Sequence, residues 1–145
     1  MDLFGGKNKD MKKILVGFDG SEGSEQALNR AMMLIDEYGE LFLLAVVPSP
    51  KDKSFVDSNM YKNLKKKADI LISNAITDVG VHEFTITGLV EEGDPAAIII
   101  DVANKKNVDL IVLGSKGTSE IGRYLLGSVA NKVVQYAHKP VMVVR

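Results

Sequence analysis

The chain alternates between short unbroken apolar runs and longer segments whose apolar residues recur every three or four positions. Ile14-Leu15-Val16-Gly17-Phe18 is too short for a helix and is stopped by Asp19-Gly20-Ser21. A continuous apolar run of that length suits a strand covered on both faces. Ser21 or Ser24 then offers an N-cap, and Leu28, Ala31, Ile35 and Tyr38 follow on one helical face, with Gly39 as the stop. Leu41–Val47 is a second strand, ended by Pro48 and Pro50. Ser49 to Asn59 is polar, charged and aperiodic, and reads as a mobile loop. A second amphipathic helix runs through Leu64, Ala68, Leu71, Ala75 and Val79 to Gly80. Its lysines 62, 65, 66 and 67 read as a solvated face.

The second half repeats the alternation. Glu83–Thr87 alternates polar with apolar, as a strand near a sheet edge does. Gly93-Asp94-Pro95 spells a turn, an N-cap and a proline at the first helical position. Ile98, Ile99, Val102 and Ala103 mark the next helix, Asp109–Leu113 a fourth strand, and Ile121, Leu125, Val129 and Val133 a last helix. Val141–Val144 is the fifth strand, entered through Pro140. Five strands alternating with four helices predict an α/β fold with a parallel sheet covered by helices on both faces. Residues 1–10, polar and without periodicity, read as a flexible tail, leaving 11–145 as one domain.

Composition narrows the chemistry. The 145 residues include no cysteine, which removes thiol catalysis, disulfide scaffolds and thiolate metal sites. That fits a cytoplasmic protein, as does the lack of an apolar stretch near the ~20 residues that a membrane helix needs. With 18 basic against 19 acidic side chains, the chain has no global attraction for nucleic acid. His82 and His138 lack metal-ligand spacing and read as loop or helix-end residues. No G-x-x-x-x-G-K-[ST], G-x-S-x-G or G-x-G-x-x-G after the first strand is present.

In open parallel sheets, ligands bind beyond the carboxyl ends of the strands, where the strand order reverses. That rule selects Phe18-Asp19-Gly20-Ser21, Val46-Val47-Pro48, Gly88-Leu89 and Gly114-Ser115-Lys116-Gly117. The last is followed, after nine residues, by Gly127-Ser128 and Val129. Paired glycine clusters with hydroxyls, one lysine and a helix start are suited to a phosphate chain. Asp19, at the end of an interior strand, needs a partner: ribose hydroxyls, a metal, or the following helix as an Asx turn.

Three segments together resemble the universal stress protein family: Lys13–Ser21, the G-x2-G-x9-G-S pattern of Gly114, Gly117, Gly127 and Ser128, and the ending Lys139–Val144. Gly93-Asp94-Pro95 matches the turn before the family's third helix, and the likeness spans Met11 to Arg145. It implies a Rossmann-like sheet in the order 3-2-1-4-5, with Asp19 opposite Gly114. It also implies ATP binding, with Mg2+ or Mn2+ as the accompanying metal. Asp19 would meet the ribose, Val46 the adenine region, and Gly114, Gly117, Gly127 and Ser128 the phosphates, with Val129 beside them. Phe18 stands where some members carry a small residue, so the adenine wall is expected to differ. No motif residue is an obvious hydrolytic base, which implies a nucleotide-dependent sensor or switch with slow or no turnover. The family likeness further implies a homodimer through Val141–Val144. An enzyme of the ATP-pyrophosphatase type is the alternative, through Gly20-Ser21-Glu22-Gly23-Ser24, although the order of Gly and Ser departs from that phosphate loop.

Overall fold

A computed structural model describes residues 11–49, 58–115 and 127–145 of the chain. The expected tail, the interior of the loop after Pro48, and the stretch holding Lys116, Gly117, Ile121 and Leu125 lie outside the described residues.

The elements run β1 (Lys13–Gly17), α1 (Glu22–Leu34), β2 (Glu40–Val47), α2 (Ser58–Val79), β3 (Thr85–Glu92), α3 (Pro95–Lys106), β4 (Leu110–Gly114), α4 (Ser128–Tyr136) and β5 (Val141–Val144). The five strands form one parallel sheet in the order β3-β2-β1-β4-β5, as the family likeness implies. The three interior strands are apolar on both sides, and the period of two sends successive side chains to opposite layers. Ile14, Val16, Leu41, Leu43 and Val112 pack under α1 and α2, while Leu15, Phe42, Leu44, Ile111 and Leu113 pack under α3 and α4. Each fully buried Leu or Ile contributes about 1.5–3 kcal/mol.

Helix starts follow their local signals. Asp94 caps α3 by accepting the Ala97 amide at 3.0 Å, with Pro95 in the first turn. Gly80 ends α2 at φ 77°, and the four lysines on that helix are exposed.

Two boundaries differ from the periodicity. The first helix ends at Leu34 rather than continuing to Tyr38, which is 81% exposed. The Asp36 amide bonds the Met11 carbonyl at 3.0 Å, so a contact with the lead-in to β1 diverts the chain. The third strand does not stop at Thr87: Gly88 and Leu89 pair with Leu43 and Leu44 in mid-strand, and pairing runs to Glu92 opposite Val47. The last helix, α4, starts at Ser128 after an extended Gly127 (ψ 159°), while Ile121 and Leu125 lie outside the described residues.

Candidate functional site

The strand order reverses between β1 and β4, and a cleft of about 380 Å3 opens at their carboxyl ends. That volume lies within the ~300–1,000 Å3 range of small-molecule sites. Phe18, Asp19, Ser21, Val46, Gly114, Ser115, Gly127, Ser128 and Val129, separated by more than a hundred positions in the chain, all line it. Gly20 does not line it: at φ 82° it makes the turn between Asp19 and Ser21, and a Cβ there would lie 2.9 Å from Leu71. Lys116 and Gly117 lie outside the described residues. Ser24, Leu44, Pro95, Ile99 and Ala130 also line the cleft. Pro95 was reachable from sequence, because Gly93-Asp94-Pro95 starts a helix on this same edge; the others depend on packing.

The β1 side is built by a tight turn. Phe18 is buried, and its amide donates to the Leu44 carbonyl at 2.8 Å, extending the β1–β2 ladder. Asp19 is exposed rather than buried, and its Oδ1 accepts the Ser21 amide at 3.0 Å. The Asx turn considered for Asp19 therefore exists, while the helix cap itself is Ser21, which accepts the Ser24 amide at 3.2 Å. Among the described residues, no donor meets Asp19 Oδ2.

The β4 side has a different origin from a bare phosphate loop. A Cβ on Gly114 would lie 2.6 Å from the Gly23 carbonyl carbon, so this glycine admits the first turn of α1 against the strand end. The Ser115 amide donates to the Val144 carbonyl at 2.8 Å, and the Ser115 carbonyl accepts the Gly127 amide at 2.6 Å. The Gly127 amide is thus committed within the protein and cannot serve an anion. What remains is the start of α4, where the first bond within the helix is Asn131 to the Gly127 carbonyl. Gly127 provides no side-chain cap, whereas α1 and α3 each have one. Among the described residues nothing caps the first-turn amides, and they and the partial positive charge of the helix end border the cleft. Asp19 is the only charged side chain among the described lining residues.

Two strands from β1, Glu92 at the end of β3 accepts the Ser49 hydroxyl at 3.0 Å and the Tyr61 hydroxyl. The hydrogen bond to that carboxylate raises the Tyr61 pKa above its usual value, and desolvation and the carboxylate's charge act in the same direction. Among the described residues there is no group of three or more His, Asp or Glu side chains that could hold a metal. Nor is any described helix long and apolar enough to cross a membrane.

Known proteins share this architecture. The sequence model of the universal stress protein family matches residues 11–145. Universal stress protein YxiE of Bacillus subtilis is 36% identical, over 92% of this chain and 98% of that protein. The solved structure of universal stress protein UspA from Lactobacillus plantarum superposes with a TM-score of 0.84 at 26% identity, over 95% of this chain and all of that one. Two more distant structures share the fold and hold nucleotides. One is a universal stress protein in complex with cAMP (TM-score 0.69, 23% identity, covering 94% and 99% of the two chains). The other, from Arabidopsis thaliana, has AMP bound (TM-score 0.63, 20% identity, covering 92% and 90%). A match over residues 11–145, together with the reversal cleft and its two flanking turns, places the chain in the universal stress protein family.

Proposed function

We propose that the cleft binds an adenine nucleotide, ATP in particular, and that the protein acts as a nucleotide-dependent sensor with slow or no hydrolysis. The observation that carries this reading is the start of α4, uncapped among the described residues, lining the same cleft as Asp19 at the β1/β4 reversal. A phosphate chain satisfies the amides of Ser128, Val129 and Ala130, and the Ser128 hydroxyl adds a donor. The ribose hydroxyls reach Asp19 Oδ2, while Phe18, Val46, Leu44 and Ile99 supply apolar wall for the base. Ser115 and Gly127 position α4 through their mutual backbone bond. Lys116 is assigned to the phosphates by its place in the chain, as is Gly117. AMP and cAMP in two proteins of the same fold support the adenine class.

Mg2+ or Mn2+ would enter with the phosphates, since Mg2+ usually keeps waters and takes only one or two carboxylates alongside substrate phosphates. Asp19 is the one carboxylate lining the described part of the cleft, and the ribose occupies it. That leaves no base among the described lining residues to activate water, which is the reason for expecting little turnover.

The sheet edge supports a second element of the reading, a homodimer through β5. Val141–Val144 pairs with β4 on one side, and its four residues are only half-buried. A parallel sheet ending in such an edge invites pairing with its own copy.

Denaturing the purified protein and identifying released small molecules by mass spectrometry tests the ligand directly. An adenine nucleotide is expected; no released nucleotide and no calorimetric ATP binding would overturn the reading. ATP should also slow amide exchange at Ser128–Ala130. Multiple turnover near the enzyme median of about 10 s⁻¹ would favour an enzyme over a sensor.

A further inference from the structure

Ser24 is a buried polar side chain, only 5% exposed, that also lines the cleft. A buried hydroxyl must spend its hydrogen-bonding capacity within the protein. Ser24 spends it on the backbone of the turn that carries Asp19. Its Oγ donates to the Ser21 carbonyl at 2.9 Å and accepts from the Asp19 amide over a longer 3.4 Å. The Ser24 amide in turn donates to the Ser21 hydroxyl, and the Ser21 amide to Asp19 Oδ1. Asp19 itself is exposed, and Gly20 beside it has no side chain to anchor the turn. Ser24, rooted in the first turn of α1, is therefore the buried end of the network that sets the carboxylate.

We infer that Ser24 is a positioning residue for ribose recognition: its hydroxyl holds the 19–21 backbone so that Asp19 Oδ2 points into the cleft. The inference rests on the nucleotide reading and adds to it the residue on which selection of ribonucleotides depends. An ordered carboxylate accepts ribose hydroxyls without loss of its own freedom, whereas an unrestrained one must be ordered by the ligand. Removing the hydroxyl should therefore cost binding only for ligands that have the ribose hydroxyls.

The test is calorimetric affinity for ATP and for 2′,3′-dideoxy-ATP in the wild type, Ser24→Ala and Ser24→Thr, with thermal unfolding of each. The wild type should favour ATP by about tenfold or more, as expected for a hydrogen bond to a charged group. In Ser24→Ala the preference should shrink to about twofold or less, with dideoxy-ATP affinity unchanged, and Ser24→Thr should restore it. If Ser24→Ala does not fold, Ser24→Cys, of similar size and a feeble hydrogen-bonding partner, takes its place with the same expectation. An unchanged preference, or an equal loss for both ligands, would overturn the positioning role while leaving the nucleotide site standing. A wild type that binds both ligands equally would also overturn it. A wild type that binds neither would overturn the nucleotide reading itself.

Discussion

Gly114 has no room for a side chain, and the reason is not the ligand. The first turn of α1 sits against it at Gly23, backbone to backbone, so a methyl group would meet atoms that cannot rotate away. Gly114→Ala should lower unfolding stability by about 1–3 kcal/mol, read as a shifted urea midpoint at constant slope. A neutral result would mean that α1 can withdraw from the strand end. Tyr61, against the end of β3, offers a pH-dependent test. Its pKa is raised by Glu92, so the neutral phenol is favoured in the folded state. Its contribution to stability is complete below the unfolded phenol value near 10 and is lost as pH rises through the higher folded value. The absorbance titration of wild type minus Tyr61→Phe should show a midpoint above that value, and Glu92→Gln should bring it down. Neither Gly114 nor Tyr61 can be assigned these roles from sequence. A glycine after a strand reads equally as phosphate loop or packing contact, and Tyr61 meets Glu92 across thirty-one positions of chain.

Helices reveal their starts more readily than their ends. Gly93-Asp94-Pro95 specifies the start of α3 within three residues, and the Asp94 carboxylate caps Ala97 as the turn chemistry requires. Asp94→Ala should cost about 1 kcal/mol, measured by denaturant unfolding. α1 shows the converse. Apolar spacing continues through Ile35 and Tyr38, but the Asp36 amide finds the Met11 carbonyl and the helix stops. Periodicity could not foresee that partner, because the bond lies outside the helix. β3 differs for a related reason: polar–apolar alternation stops at Thr87, yet the neighbouring β2 supplies partners through Gly88 to Glu92. The start of α4 links element to ligand. Gly127 has φ −62°, so a side chain is conformationally tolerated there. Gly127→Asp should raise the stability of the nucleotide-free protein by a few tenths of a kcal/mol. It should also weaken ATP binding by about tenfold or more, because the new carboxylate claims the same amides and repels phosphate. Unchanged ATP affinity would remove α4 from the site.

At the scale of the molecule, ligand binding and stability are linked. ATP at about a hundred times its dissociation constant should stabilise the fold by about 2.7 kcal/mol and raise Tm by about 5–10 °C. No shift in a thermal scan would count against the whole nucleotide reading. The homodimer expected through β5 is checked by light scattering at micromolar concentration, where a monomer mass would exclude it. Alternation of short apolar runs with 3.6-period segments sufficed to specify an α/β parallel sheet, because each run had to be covered on both faces and each helix had one face to bury. The rule that ligands collect at the carboxyl ends of strands then selects Asp19, Val46 and Ser115, and the paired glycine clusters add Ser128. Those inferences are local or topological. Packing alone revealed that Gly20 turns away toward Leu71, that the Gly127 amide is already taken by Ser115, and that Ser24 is buried beneath the Asp19 turn. Hydrogen-bond partners distant in the chain leave no periodic trace, so which amides are free to meet a ligand emerges only when the strands and helices are brought together.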